Sequence, residues 1–387
     1  MNYKRIFLII LDSLGVGESM DAETYNNKGA NTLGNLSEKT SLFIPNLKKL
    51  GLLNTLYMNN TEAEAYYTIA RPKNKNNDCL SGHYELMGIT PTIEYDNFNH
   101  GPFPRDLLEN IASTLKKPII GNIISDAKSA INRLYKRHME TKSLIIYTTG
   151  DSNLEVAAHE DIIPINDLYD YCEKIRSITD KKGWMVSTIV ARPFTVKNNN
   201  VILTDDSKVF TLSPNSNSIL DNLKNANLQT ISIGKISDIF NHNGITKIIK
   251  SSNNVEAINK ILDIMDKNFE GLCIANLNDF NLLYGHARDV EGYKQSIEEF
   301  DVQLPLILNK LNIDDMLIIT ADHGCDPTYE SYSNTRENIP VIIYSRNFIE
   351  SGQIDILDTL GDVGATIAEN FNVEKPWLGT SFLNKLK

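Results

Sequence analysis

Seven short apolar runs most constrain what this chain can fold into: IFLIIL (6–11), SLIIYTT (143–149), MVSTIVA (185–191), TISIG (230–234), LCIANL (272–277), MLIITA (316–321) and PVIIYS (340–345). Each is bounded by polar residues and continuous rather than alternating. Such runs suit strands covered on both faces, as in a parallel sheet, better than strands with one wet face. Amphipathic stretches lie between them. PRDLLENIASTL (104–115) places Pro104 for a first helical turn, then Leu107, Leu108, Ile111 and Leu115 at helical spacing. VEAINKILDIMDKNF (255–269) and EGYKQSIEEFDVQLPLILNKL (291–311) read the same way, and Pro305 predicts a kink or break in the second. Strand and helix alternate, so the predicted class is α/β.

Two polar stretches mark candidate boundaries. IEYDNFNHGPFP (93–104) holds two prolines and little apolar periodicity, and VKNNNVILTDDSKVFTLSPNSNS (196–218) is rich in Asn, Asp and Ser. With both as hinges, residues 103–213 form an inserted domain, and residues 1–98 with 215–387 form one discontinuous core. A chain of 387 residues, 41% hydrophobic and 22% charged, is long enough for two such cores.

The net charge of −11 would repel a phosphate backbone and argues against a nucleic-acid partner. A small anionic substrate then needs locally placed cations or metal ions. Cysteines stand at 79, 172, 273 and 325 without a framework spacing, which reads as a reducing compartment. The apolar run Ile6 to Leu11 is too short for a signal segment or a membrane span, and no run approaches ~18 apolar residues. The expectation is a cytoplasmic protein with no membrane association.

In doubly wound sheets, ligands bind at the carboxyl ends of the strands. IFLIIL ends in Asp12, and MLIITA ends in Asp322-His323-Gly324. LCIANL runs into Asn278-Asp279-Phe280-Asn281, with Gly285-His286 after it. A lone Asp after a strand is commonly a helix N-cap, but three such ends in one sheet point to a site. Asp12, Asp322 and His323 together would make an oxygen-rich centre suited to Mn²⁺ or Mg²⁺, the imidazole favouring Mn²⁺ or Zn²⁺.

The ordered set RIFLIILDSLGVGE (5–18), GANTLGN (29–35), GHYELMGI (82–89), IIYTTGDSNLEVAAHE (145–160), VARPF (190–194), IGKISDIF (233–240), LYGHARDVEGY (283–293), ITADHGCDPTY (319–329), NTRENIPVIIYS (334–345) and GTSFLNKL (379–386) resembles the phosphopentomutases of the alkaline-phosphatase-like metalloenzyme superfamily. The resemblance implies an alkaline-phosphatase-like core with a mainly parallel sheet and an inserted, smaller α/β cap that binds substrate. It also implies an isomerase of nucleotide metabolism that moves phosphate between carbons 1 and 5 of ribose or deoxyribose. Two divalent ions, usually manganese, and a phosphorylated threonine serve that chemistry in the family.

Carried onto this chain, the resemblance places one metal site at Asp12, Asp322 and His323. Sugar-phosphate contacts fall on Asp151, Arg192 and Lys235. The nucleophile position is 79, where Asp-Thr-x-Thr-Gly-His is replaced by Asp78-Cys79-Leu80-Ser81-Gly82-His83, so Cys79, Ser81 and His83 are the candidate catalytic residues. The second metal site, Asp-His-His in the family, becomes Asn281, His286 and Asn334. Asn35 replaces a histidine, and Asn77 a lysine.

These departures bear on activity. An amide oxygen is a weaker donor than a carboxylate or an imidazole, so the second ion should bind poorly, leaving one ion rather than two. Cys79 is either a thiolate nucleophile raised by a nearby dication or a small buried filler. A sulfatase reading of Cys79 fails, because Cys-x-Pro-Ser-Arg is absent. His286 can equally be a satisfied loop histidine, and Arg192 and Lys235 solvated charges. Three functions follow: a phosphopentomutase-type enzyme of weakened or altered activity, a non-catalytic paralogue binding a sugar phosphate or a partner, and a one-metal phosphosugar hydrolase or lyase. Asp279, Ser81 and Asp326 are candidates to replace the lost groups.

Overall fold

A computed structural model describes residues 3–59, 61–89, 94–96, 98, 103–214 and 216–387. The chain divides into two compact units, residues 1–92 with 214–387 and residues 93–213. In chain order the strands are β1 (Arg5–Leu11), β2 (Tyr66–Ala70), β3 (Ile119–Ile124), β4 (Leu144–Thr148), β5 (Asn153–His159), β6 (Thr188–Lys197), β7 (Asn200–Leu203), β8 (Lys208–Thr211), β9 (Gln229–Ile233), β10 (Lys247–Ile249), β11 (Gly271–Leu277), β12 (Asp315–Thr320), β13 (Ile339–Tyr344) and β14 (Gly352–Gln353).

The discontinuous unit holds an eight-stranded sheet in the order β10-β9-β11-β1-β12-β13-β2-β14. Strands β10, β9, β11, β1 and β12 pair in parallel. β1 is buried along its whole length between β11 and β12, which is why IFLIIL carries no polar residue until Asp12. The fold is mixed α/β, and this sheet is mostly parallel, with antiparallel pairing only on the two sides of β13.

All seven apolar runs overlap strands. PVIIYS departs from the parallel expectation: as β13 it runs antiparallel to both β12 and β2. It is nonetheless buried on both faces, so a continuous run reports two-sided cover and not strand direction.

Pro305 does not break its helix, which runs from Val290 to Lys310. A proline removes its own N–H and crowds the carbonyl four residues back, here that of Asp301. Asn46 Nδ2 donates to that freed carbonyl at 3.0 Å. The Asp301 carboxylate in turn accepts from the Leu47 backbone N–H at 2.6 Å and from Asn46 Nδ2 at 3.0 Å, meeting the first turn of the short helix Pro45–Lys49.

The unit 93–213 has its own sheet, β3-β4-β5-β6-β7 with β8 beside β6. Helices Arg105–Leu115 and Ile165–Lys182 cover one face, where Leu107, Ile111 and Ile175 share a core with Leu144, Ile146 and Val156. Helix Ala127–Thr141 covers the other, setting Ala130 and Ile131 among Ile145, Tyr147 and Phe194. The stretch 196–218, read as a hinge, contains β7 and β8, and the division between units falls after Ser213. The stretch 93–104 lies largely outside the described residues. Among the described residues, no helix is long and apolar enough to cross a membrane. All four cysteines are free thiols.

Candidate metal centre

The carboxyl ends of β1, β11 and β12 bring the site together. Asp12 leaves β1, Asp322 and His323 follow β12, and Asn276 and Asn278 lie at the end of β11. Just past Asp12 the chain turns through Ser13, whose φ of 72° lies in the left-handed region. That costs a non-glycine residue about a kcal/mol or more, and two contacts hold it: the Ser13 N–H donates to Asp322 Oδ1 at 3.1 Å, and its hydroxyl lies 3.0 Å from the Tyr293 hydroxyl.

Helix Cys79–Leu86 completes the site from β2. Asp78 caps it, accepting from the Ser81 N–H at 2.8 Å. The helix comes so close to the β12 end that a Cβ at Gly82 would stand 2.0 Å from the Asp322 carbonyl oxygen. Only glycine fits there.

Asp12 Oδ2 is saturated by Lys235 Nζ at 2.5 Å and Asn276 Nδ2 at 2.9 Å. Lys235 also donates to Asn278 Oδ1 at 2.9 Å. His323 Nδ1 lies 3.0 Å from the Gly324 carbonyl, which only accepts, so Nε2 faces the carboxylates. That nitrogen is 3.6 Å from Asp12 Oδ1 and 3.4 Å from Asp322 Oδ2. Asp12 Oδ1, Asp322 Oδ2 and His323 Nε2 are all buried; Asp12 Oδ1 has no hydrogen-bond partner, and Asp322 Oδ2 has His83 Nδ1 beside it at 3.0 Å. Three converging, buried donors of this chemistry fit a divalent cation.

Electrostatics agree. Burial alone would raise Asp322, but His323 and His83 hold its carboxyl well below the usual carboxylate range. Burial alone would lower His323, yet the charge of Asp322, a hydrogen bond with Cys79 and the charge of Asp12 push it up to about 10. A proton thus occupies the imidazole where an ion would sit, held by the same carboxylates. Lys235 is opposed by burial but stays firmly charged beside Asp12.

Cys79 Sγ lies 3.4 Å from His83 Nδ1, and His83 Nδ1 lies 2.8 Å from the Cys79 carbonyl and 3.0 Å from Asp322 Oδ2. Burial, against a partial opposing effect of Lys235, pushes the Cys79 thiol up to about 12. In the metal-free protein it is therefore a thiol, not a thiolate. Ser81 is fully buried, its hydroxyl unpartnered.

The positions expected to hold a second ion come together in part. Asn281 Nδ2 reaches Asn334 Oδ1 at 3.5 Å, and Asn281 Oδ1 is buried without a partner. Asn77 Nδ2 donates to the Asn334 carbonyl at 2.6 Å. His286 Nδ1 lies 2.6 Å from the Tyr332 carbonyl. Two of the candidate replacements, Asp279 and Asp326, are hydrogen-bonded elsewhere. Asp279 Oδ2 accepts from the Asn254 N–H at 2.8 Å, at the start of helix Asn254–Met265. Asp326 accepts from the Asn31 N–H at 3.0 Å, the Asn35 amide at 2.6 Å and Thr328.

In the unit 93–213, Arg192 pairs with buried Glu155 at 2.7 Å, and Asp151 accepts from the Thr149 hydroxyl at 3.2 Å. Sequence reasoning left Arg192 without Glu155 and missed Asn276 altogether. A lone Asn one step from the end of the apolar run LCIANL was the available signal.

Fold and site define a mixed α/β protein whose strand ends gather residues that could hold a divalent cation. The chain belongs to the metalloenzyme superfamily, whose sequence profile matches residues 4–375. Two solved structures share the fold across the chain. A Pyrococcus horikoshii protein is 13% identical, with a TM-score of 0.50, covering 96% of this chain and 98% of its own. Leishmania mexicana phosphoglycerate mutase, crystallised at low cobalt concentration, is 9% identical with a TM-score of 0.50, covering 98% of this chain and 97% of its own.

Proposed function

We propose that this chain is a one-cation, phosphopentomutase-type enzyme acting on ribose or deoxyribose phosphates, with turnover weakened relative to a two-ion site. The observation that carries this reading is the convergence of the buried donor atoms of Asp12, Asp322 and His323. A cation bound there would neutralise developing charge on phosphoryl oxygens. Lys235 fixes one oxygen of Asp12 so that the other stays turned toward the site. Asp151 and Arg192 remain the proposed sugar-phosphate contacts. Four free thiols suit a reducing cytoplasm.

One observation favours a second reading, a non-catalytic sugar-phosphate binder: Asn281 and Asn334 face each other as neutral amides. Incubation with ribose 5-phosphate and added Mn²⁺ or Zn²⁺, followed by phosphorus NMR, separates the two. The enzyme reading predicts slow formation of ribose 1-phosphate, abolished by Asp322→Asn. Ligand-induced stabilisation with neither isomerisation nor hydrolysis supports the binder.

A further inference from the structure

We propose that Glu155 is the positioning residue of the sugar-phosphate subsite: it holds Arg192 in one orientation, ties it through Asn153 and Thr149 to Asp151, and offsets the guanidinium charge, so that the subsite selects a phosphosugar over bare phosphate. The inference rests on the reading of Asp151 and Arg192 as phosphosugar contacts and adds what sets their geometry.

The sheet of the unit 93–213 puts these groups together. Glu155 in β5 stands opposite Tyr147 in β4 and Val190 in β6. Arg192 follows two residues further along β6, on the same face as Val190. Its Nε donates to Glu155 Oε2 at 2.7 Å and its Nη2 to Glu155 Oε1 at 3.4 Å. One edge of the planar guanidinium is thus held by the carboxylate. Nη1 donates to the Ser207 hydroxyl at 2.9 Å, which fixes the plane a second time. The Tyr147 hydroxyl donates to Glu155 Oε2 at 3.3 Å. Burial alone would lower Arg192, but the charge of Glu155 keeps it raised.

A continuous run of hydrogen bonds joins this pair to Asp151. Asn153 spends both amide hydrogens on it, one on Glu155 Oε1 at 3.3 Å and the other on Thr149 Oγ1 at 2.8 Å. The Asn153 oxygen accepts from the Thr148 hydroxyl at 2.8 Å and the Thr149 N–H at 3.2 Å, so the amide cannot turn over without losing all four bonds. Thr149 passes its own proton to Asp151 Oδ2 at 3.2 Å. The two proposed contacts therefore share one support that begins at Glu155.

Stability does not explain the pair. A buried ion pair commonly does no better than packed apolar residues of the same volume. The Glu155 side chain is 4% exposed, whereas that of Arg192 is 14% exposed, so the cation keeps a path to solvent and its anchor does not. Donors locked by such support bind one geometry well. A guanidinium whose charge is already offset gives a bare anion little extra attraction.

The test titrates the full chain by calorimetry with two probes, ribose 5-phosphate and inorganic phosphate. Glu155→Gln keeps the side-chain shape and removes its charge. It should weaken ribose 5-phosphate about tenfold and leave phosphate unchanged or tighter, because Arg192 loses its orientation but recovers its charge. A purely structural defect would weaken both probes alike. Asn153→Leu leaves Arg192 paired with Glu155 and cuts the connection to Asp151. In that background Asp151→Asn should weaken ribose 5-phosphate less than it does in wild type, and this cycle decides the point even where Glu155→Gln does not fold. Equal changes for both probes in Glu155→Gln, or additive effects of Asn153→Leu and Asp151→Asn, overturn the positioning role and leave the proposed function standing. Wild-type affinity for ribose 5-phosphate in Arg192→Met removes Arg192 as a contact and overturns this inference with it.

Discussion

Lys235 Nζ sits 2.5 Å from Asp12 Oδ2, so a fixed ammonium neutralises one oxygen of a carboxylate whose other oxygen is buried and unpartnered. The lysine follows β9 and the aspartate ends β1, two strands away in the sheet. An ammonium at this distance both stabilises the metal-free carboxylate and repels any incoming dication.

Lys235→Met separates those two effects. Breaking a buried ion pair by removing one partner costs about 3–5 kcal/mol, so the metal-free variant should unfold at markedly lower denaturant. Its Zn²⁺ or Mn²⁺ affinity should rise, because the repulsion is gone, and saturating metal should narrow the stability gap. Urea titrations with and without metal read both. A variant as stable as wild type without metal would show that the pair contributes nothing.

Metal content tests the second position. Atomic absorption of metal-saturated, desalted protein should give one tightly bound ion per chain. Asn281→Asp combined with Asn334→His replaces two facing amides with a carboxylate and an imidazole and should raise the count to two. Two ions in the wild type would mean that the Asn281 and Asn334 oxygens suffice.

Glu337 predicts a pH dependence. It is 1% exposed, and burial, together with Asp326 and against Thr335 and Thr32, raises its carboxyl to about 7. An acid with a raised folded pKa favours folding while protonated. Its contribution is therefore full below the unfolded value of ~4.3 and is lost as pH rises through 7. Glu337→Gln should flatten stability between pH 5 and 8, by up to about 3 kcal/mol. The amide can keep the hydrogen bonds: its oxygen accepts from the Thr32 N–H, and its NH₂ donates to the Thr32 and Thr335 hydroxyls. Parallel slopes in the two proteins would assign the pH dependence to other groups.

Asn46→Ala should cost about 1–3 kcal/mol, because it strands the Asp301 carbonyl that Pro305 leaves open. In the Pro305→Ala background the helix closes its own bond, so the same Asn46 substitution should cost less. A double-mutant cycle by chemical denaturation measures the difference, and equal costs in both backgrounds would refute the compensation.

The sequence by itself determined the positions of seven of the strands and the candidate ligands at their ends. Two-sided burial forces continuous apolar runs, and the first polar residue past each run marks where the backbone leaves the sheet; hence Asp12, Asp322 and His323 could be read directly. Tertiary structure decided what pairs with them. Lys235 against Asp12, Asn276 against Asp12, Asn281 facing Asn334, and Asn46 closing the gap at Pro305 each join residues 53 to 264 positions apart. Strand direction was equally hidden, since antiparallel β13 is as apolar as the parallel strands of its sheet. Local pattern records how deeply a segment is buried. Which side chains meet there depends on strand order and register, and those are set by the packing of the whole sheet.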